Sequence, residues 1–275
     1  MSDGHQQGAG GVRVLVAGAC GRMGREVALA VRDAAGVDLV AAVDVRHVGR
    51  DIGEVVGEQP CGVAVSGDLA ETINAARPQV MVDFTRPDTV MDNLRVALVK
   101  RVAAVVGTTG LTTAHLQELT ALTAEHDTPV FIAPNFAIGA VLMMRFAAEA
   151  ARHFDHAEVI EYHHEKKLDA PSGTALLTAE LMRSAASERL ATDSGPEAGE
   201  DSRGRPVGGV RVHAVRMPGF VASQDVIFGS IGETLTIRHD TINRNCFMPG
   251  VLLAIRKVRG LSGVTVGLQT LLWPE

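Results

Sequence analysis

The sequence predicts an α/β protein: a doubly wound parallel sheet, then a second α+β domain containing an open mixed sheet. Three observations carry that expectation. Short apolar runs alternate with helical stretches through the first half, at the interval of β-α-β crossovers. The first run opens at once into a glycine-rich turn and a helix, Gly18-Ala19-Cys20-Gly21-Arg22-Met23-Gly24. Beyond residue 137 the crossover rhythm stops, and three later strand-like runs are separated by Pro218-Gly219 and by the turn Gly229 to Gly232.

Composition bounds the function classes. The chain has 275 residues, 46% hydrophobic and 21% charged, enough to bury a sizeable core in one large or two ordinary domains. Aromatic residues make up only 4%, so Ala, Val and Leu fill the interior. A net charge of −6 argues against broad binding to nucleic acid or to an anionic membrane surface. Cys20, Cys61 and Cys246 are far apart and fit no metal spacing, so a reducing cytoplasm is the simplest context. No run approaches the roughly 18 apolar residues of a membrane helix. Residues 1–11 lack an apolar core and read as a flexible extension, not a signal peptide.

Taken in order, Val12 to Ala17 is the first buried strand, and Val27, Ala28, Ala30 and Val31 mark the helix after the turn. Strand, glycine turn and helix together lift this pattern above a chance match, giving a Rossmann-type start. The spacing is G-x-x-G-x-x-G, with Cys20 where the commoner dinucleotide fingerprint has its second glycine. Such a loop brings backbone N–H groups to a pyrophosphate at a helix N-terminus. The competing reading is a tight turn with no ligand. A second strand, Asp38 to Val43, ends in Asp44, about 20 residues past the last glycine, where an acid typically meets the adenine ribose. Arg46 can instead meet a 2′-phosphate, so NADH or NADPH stays open, with Asp44 tilting the balance to NADH or dual use; a bland alternative is that Asp44 only ends its strand. Residues 46–78 are rich in Gly, Asp and Pro and show one periodic segment, Leu69 to Ala76. Then come strand Val80 to Phe84, helix Thr89 to Lys100, strand Val102 to Val106, helix 112–126 and strand Val130 to Ala133. Ligands of a doubly wound sheet sit at the carboxyl ends of its strands. The strand-end peptides containing Phe84-Thr85, Gly107-Thr108-Thr109 and Ala133-Pro134-Asn135-Phe136 would therefore line one crevice.

Ile138 to Phe154 is helical and leaves this first domain. The stretch from Glu158 to Glu180 is the densest in chemistry. It begins as a strand at Val159, Ile160 and Tyr162 and ends in a helix. Pro171 biases Ala170 away from helix, so the helix starts at or after Ser172, a natural N-cap. The N–H groups of Gly173 and Thr174 are then unpaired, and with two hydroxyls they form a seat for an anion such as a carboxylate. Lys167 adds a positive charge, and His163 and His164 stand on opposite faces if the strand continues. Singly, each feature is better read as helix punctuation or a solvated side chain. Together, within a dozen residues, they favour a site for a small anion. Residues 188–209 read as a long exposed loop. Strands Gly209 to Arg216, Gln224 to Phe228 and Thr234 to His239 follow. Helix 247–259 and the strand-like Val264 to Leu268 return to the first domain. The expected division is 12–136 plus 247–275 for dinucleotide binding, and 137–246 for substrate binding and assembly.

The collected peptides, GACGRMG, DFT, GTTG, APNF and above all EYHHEKKLDAPSGTA, resemble the dihydrodipicolinate reductase family, over nearly the whole chain from Val12. The resemblance implies reduction of 4-hydroxy-tetrahydrodipicolinate, a cyclic dicarboxylate, by NADH or NADPH in lysine and diaminopimelate synthesis, by a homotetramer. Position by position it implies that Gly18, Ala19, Cys20, Gly21, Arg22 and Met23 hold the pyrophosphate and Asp44 the ribose. Phe84 and Thr85 join the cofactor crevice; Gly107, Thr108 and Thr109, with Ala133, Pro134, Asn135 and Phe136, flank the nicotinamide. His163 becomes the catalytic proton donor or acceptor, and Lys167 a second proton donor. His164, Ser172, Gly173, Thr174 and Arg244 contact substrate. Arg46 lies one place further from the acid than the family arginine, which leaves cofactor preference open.

Two other readings compete. One is a non-catalytic nucleotide-sensing protein whose second domain serves assembly; the other is a different amino-acid dehydrogenase of similar fold. A zinc site at His163 and His164 is disfavoured, because adjacent strand residues diverge and no Cys is near.

Overall fold

The computed structural model describes residues 10–186, 190 and 202–274. Residues 1–9 of the expected N-terminal extension, and most of the expected loop 188–209, lie outside them. Backbone contacts divide the chain into two units, 1–136 with 247–275, and 137–246.

In chain order the first unit starts with β1 (Val12–Ala17), α1 (Arg22–Asp33), β2 (Val37–Val43), α2 (Ile52–Val56), β3 (Val65–Ser66) and α3 (Leu69–Ala76). It continues with β4 (Val80–Asp83), α4 (Val90–Val99), β5 (Ala103–Val106), α5 (Thr113–His126) and β6 (Val130–Ile132). The second unit holds α6 (Ile138–Ala150), β7 (His156–His163), α7 (Gly173–Ala186), β8 (Arg205–Val207), β9 (Val210–Arg216), β10 (Ala222–Ser230) and β11 (Glu233–Thr241). A 3-10 turn (Arg244–Phe247) leads to α8 (Met248–Lys257), β12 (Val264–Val266) and α9 (Gln269–Leu272) of the first unit.

The first sheet is parallel throughout, in the order β12-β6-β5-β4-β1-β2-β3. Strands buried on both faces read as continuous apolar runs, and β4 and β5 have no exposed residue. Leu15, Met81, Leu94, Leu98 and Leu119 are fully buried in one core cluster, each contributing about 1.5–3 kcal/mol by leaving water. The strand order reverses at β1, whose neighbours β2 and β4 carry the chain in opposite directions. That reversal opens a crevice at the carboxyl ends of β1 and β4.

Within residues 46–78 the sequence shows one periodic segment, but the structure contains α2 and β3 besides α3. Five residues cannot display a helical period; α2 is defined by its ends. Asp51 accepts from Gly53 N–H, and Gly57 closes the helix at φ 91°. The two-residue β3 is an edge strand held through β2.

The second sheet is mixed, in the order β11-β10-β7-β9-β8, with β7 and β9 parallel and the other pairs antiparallel. β8 falls inside the expected loop. Its Pro206 is tolerated because the strand is at an edge, and Gly208 and Gly209, both at positive φ, close the hairpin to β9. Helix α6 stops at Ala150 rather than reaching Phe154, whose ring packs 5.4 Å from that of Phe228. Helices α6 and α7 pack on each other, α6 against β11 and α7 against β7 and β9. Val159, Val212, Val226 and Phe228 are buried on one face of the sheet.

Candidate functional site

At the end of β1, Gly18 turns the chain at φ 77°, and a side chain there would collide with the Phe84 carbonyl. Gly24 is more constrained: an added Cβ would lie 2.0 Å from the Gly18 oxygen. This third glycine therefore lets α1 approach the loop. The loop spends most of its own N–H groups internally. Gly18 and Ala19 donate to the Val43 carbonyl (2.8 and 3.1 Å), Gly21 to Gly18 (2.9 Å), and Cys20 to the Asp44 carboxylate (2.9 Å). The N–H groups of Arg22 and Met23, first in α1, have no protein acceptor among the described residues. They are the amides available to an anion.

Asp44 ends β2 with a 7% exposed side chain, accepting from Cys20 N–H at one oxygen and Arg46 N–H (2.9 Å) at the other. It thus ties the glycine loop to the second strand while each oxygen keeps accepting capacity. The Cys20 side chain is buried, bonded to the Arg46 carbonyl. A cavity of about 620 Å³ opens beside these groups, lined by Gly18, Gly21, Asp44, Arg46, Phe84 and Thr85 among others.

The floor of this crevice is organised by Asp83, which the sequence reading did not single out. Fully buried at the end of β4, its carboxylate accepts from Thr85 N–H (3.0 Å) and Oγ (2.7 Å), Thr108 Oγ (2.7 Å) and Asn93 Nδ2 (2.8 Å). One buried acid thus pins the peptides after β4 and β5. Gly107 is required by close packing, since a Cβ would enter the Phe84 ring at 2.1 Å. Phe136 is buried against Phe84 and Phe131, with ring centroids 5.8 and 6.2 Å away, and Ala133 is buried and bonded to the Val106 carbonyl. Their side chains shape the core under the strand ends. Thr109 and Pro134 are exposed and Asn135 half-buried.

In the second unit, strand alternation puts Ala157, Val159, Glu161 and His163 on one face of β7. Glu161 has no exposed surface. Its carboxylate receives four hydrogen bonds or ion-pair contacts. His163 Nδ1 lies 2.5 Å away, Arg216 donates from two nitrogens (2.8 and 2.7 Å), and Ser172 donates its N–H (3.0 Å). Burial pushes the Glu161 carboxyl up, but His163, Arg216 and the Ser172 amide outweigh it and hold it at about 2.

Ser172 caps α7: its Oγ accepts from Ala175 N–H (3.2 Å) and its carbonyl from Leu176 N–H (3.0 Å). Gly173 and Thr174 N–H groups have no protein acceptor among the described residues. A Cβ on Gly173 would meet nothing within 4 Å, so the protein's own packing does not require glycine there. Gln224 of β10 donates to Thr178 Oγ, which donates to the Thr174 carbonyl (both 2.8 Å), fixing the first turns of the helix to the sheet.

Lys167 does not point a free charge at this helix start. Its Nζ is bonded to both oxygens of Asp169 (2.7 and 2.9 Å), and Lys167 holds the Asp169 carboxyl below the ordinary range. Asp169 is 59% exposed, and such pairs are worth only about 0–1 kcal/mol, so an incoming carboxylate can replace it. His164, half-buried after the end of β7, has no side-chain partner among the described residues. Register places Thr241, Ala222, His163 and Arg216 in one row across the sheet, and Arg244 lies three residues past Thr241. All the expected substrate-side residues thus lie on this unit. Glu161 and Arg216 were missed because their pairing spans 55 residues; an acid following Ala157 and Val159 on one face of the strand was the available signal.

Among the described residues no cluster of ligating side chains is able to hold a metal, and no helix is long and apolar enough to cross a membrane.

Two family models match the chain in succession, the second running past Cys246 into the C-terminal segment that packs with the first unit. Residues 12–136 match the family model described as Dihydrodipicolinate reductase, N-terminus, and residues 139–272 the one described as Dihydrodipicolinate reductase, C-terminus. The 4-hydroxy-tetrahydrodipicolinate reductase of Moorella thermoacetica is 50% identical over 261 residues, covering 95% of this chain and 98% of that one. That of Desulfitobacterium hafniense is 47% identical over 263 residues, with the same coverage. Among solved structures, dipicolinate-bound dihydrodipicolinate reductase from Paenisporosarcina sp. TG-14 superposes with a TM-score of 0.82 at 38% identity, covering 94% of this chain and 99% of that one. GenD2 from gentamicin A biosynthesis, in complex with NAD, shares the fold alone, with a TM-score of 0.63 at 16% identity.

Proposed function

The chain belongs to the dihydrodipicolinate reductase family, and from that premise we propose that it reduces 4-hydroxy-2,3,4,5-tetrahydrodipicolinate to 2,3,4,5-tetrahydrodipicolinate in lysine and diaminopimelate synthesis. The nucleotide-sensor and alternative-dehydrogenase readings have no comparable support. The observation that carries the reading is the helix start after Pro171. There, two amides without protein acceptors and a glycine facing open space stand on the same unit as an imidazole held by a buried carboxylate.

A pyridine nucleotide fits the first unit. The cavity of about 620 Å³ is large enough for a nucleotide moiety, and it is lined by the loop glycines and Asp44. Arg22 and Met23 amides would hold the pyrophosphate, with Gly18, Ala19, Cys20 and Gly21 shaping the loop. Asp44 would accept from the ribose, and Arg46, half-exposed beside it, suits a 2′-phosphate; both NADH and NADPH are therefore accommodated. Gly107, Thr108, Thr109 and the peptide Ala133 to Phe136 would border the nicotinamide. When bound, the nucleotide supplies the hydride.

The chain's own residues supply the rest. Gly173 and Thr174 amides, with Ser172 at the helix start, receive one substrate carboxylate, and His164 and Arg244 assist with the second. Lys167 exchanges Asp169 for substrate and neutralises charge there. The 4-hydroxyl of the substrate leaves as water. Hydride addition at C4 of the dehydrated ring leaves an enamine whose neighbouring C3 needs a proton, and His163 or Lys167 delivers it; a proton donor so placed typically contributes roughly 10²–10⁴-fold. The relative from Paenisporosarcina is dipicolinate-bound, so pyridine-2,6-dicarboxylate is the natural probe.

We also infer a homotetramer. The sheet face opposite α6 and α7 carries Ile160, Tyr162, Val215 and Ile227, none of them fully buried, and a second copy would cover it.

A steady-state assay with the hydroxylated cyclic substrate and each reduced nucleotide tests the activity directly. Turnover with either, inhibited by pyridine-2,6-dicarboxylate, is the expected outcome. No turnover with both nucleotides and no thermal stabilisation by the dicarboxylate would refute it.

A further inference from the structure

The geometry points to Glu161 as the positioning residue that sets the working imidazole and the anion seat together. This rests on the reading of His163 as a proton donor. Val159 and Ala157, the same-face neighbours in β7, are apolar and buried. A carboxylate in that row loses its hydration, a penalty of several kcal/mol unless it is fully compensated.

Pairing with Arg216 alone would need only the two parallel contacts at 2.8 and 2.7 Å. Each Glu161 oxygen carries a further bond. Oε2 also meets His163 Nδ1, and Oε1 also accepts from Ser172 N–H. The arginine keeps the carboxylate ionised, hence an obligate acceptor. His163 must then carry its neutral-state proton on Nδ1, which leaves Nε2 as the ring nitrogen that exchanges a proton with substrate. As the imidazolium forms, the same carboxylate faces its charge. An acceptor on the far ring nitrogen fixes both tautomer and orientation.

The second oxygen does the corresponding job for the substrate seat. Ser172 N–H is tied to Oε1 while Ser172 Oγ caps the third residue of α7. The distance between the imidazole and the open amides of Gly173 and Thr174 is thereby set through one group. Arg216 also donates to the Asp169 carbonyl (2.6 Å), holding the intervening turn.

The test uses the full chain. Nitrogen-15 NMR of histidine-labelled protein should show neutral His163 as the Nδ1–H tautomer; an Nε2–H ring overturns the proposal without any variant. Glu161→Gln should lower kcat by roughly 10–10²-fold and mix the tautomers, with Glu161→Asp restoring part of the loss. In a His163→Gln background, Glu161→Gln should lower kcat no further, because its effect on the proton step acts through the imidazole, while still raising the substrate KM through the Ser172 amide. Should Glu161→Gln not fold, Glu161→Gln with Arg216→Gln removes both buried charges and is read in the same way. Unchanged kcat and tautomer with a lowered Tm would make Glu161 only a partner of Arg216, and the proposal fails. Full activity of His163→Gln itself would instead remove His163 from the mechanism, whatever Glu161 does.

Discussion

Glu161 carries a full charge two residues from Val159, on a strand face whose preceding positions, Ala157 and Val159, are apolar and buried. Its folded carboxyl sits at about 2 against an ordinary 4.5. A depressed folded value gives stability that is present above pH 4.5 and lost as the pH falls towards 2. That loss amounts to about 3 kcal/mol. Acid denaturation followed by circular dichroism should therefore show a steep limb between pH 4.5 and 2, flattened in Glu161→Gln; identical limbs would mean the carboxylate is not held as described. Lys167 makes a different expectation. Its surface partner Asp169 contributes little, so Lys167→Ala should leave Tm nearly unchanged while raising the substrate KM, since one charge-assisted contact with a carboxylate is lost. An unchanged KM would count against that role.

Two helix starts leave amides open to an anion, and glycine means something different in each. In α1, Gly24 packs against the loop, and any side chain overlaps the Gly18 oxygen. Gly24→Ala should destabilise the first unit by about 2 kcal/mol or more and abolish nucleotide binding; calorimetry with titrated nucleotide measures both. In α7, a side chain added at Gly173 would touch nothing, and alanine is the better helix former. Gly173→Ala should therefore keep or raise Tm, yet raise the substrate KM by roughly tenfold. If KM stays put, the open face of that residue is not where the substrate lies. The elements themselves were mostly legible. β1, α1, β4 and α4 have apolar runs long enough for a period to show, whereas α2 and β3 are defined by a cap and an edge pairing. β8 escaped because its pattern, Arg-Pro-Val, lacks alternation and is recruited only by β9.

At the scale of the molecule, the second sheet has helices on one face only among the described residues. The proposed homotetramer, in which a second copy covers the other face, would sediment at about four times 29.0 kDa. Ile160→Asp, on the uncovered face, should break it into smaller species without unfolding the unit. A monomeric wild-type chain would overturn the assembly. The first unit has no such open face: strands β4 and β5 are buried on both sides, as a doubly wound sheet requires.

The sequence by itself determined the parallel sheet, the glycine loop, the N-cap at Ser172 and the family, because each is written in neighbouring residues. Period, turn chemistry and capping act over a few positions and need no distant partner. Tertiary structure alone decided which amides stay open and which buried acids hold them. Asp83 gathers Thr85, Asn93 and Thr108, and Glu161 gathers His163, Ser172 and Arg216. Those pairings join residues up to 55 positions apart. A buried charge is tolerated only where folding delivers every one of its partners, and spacing along the chain carries no record of that delivery.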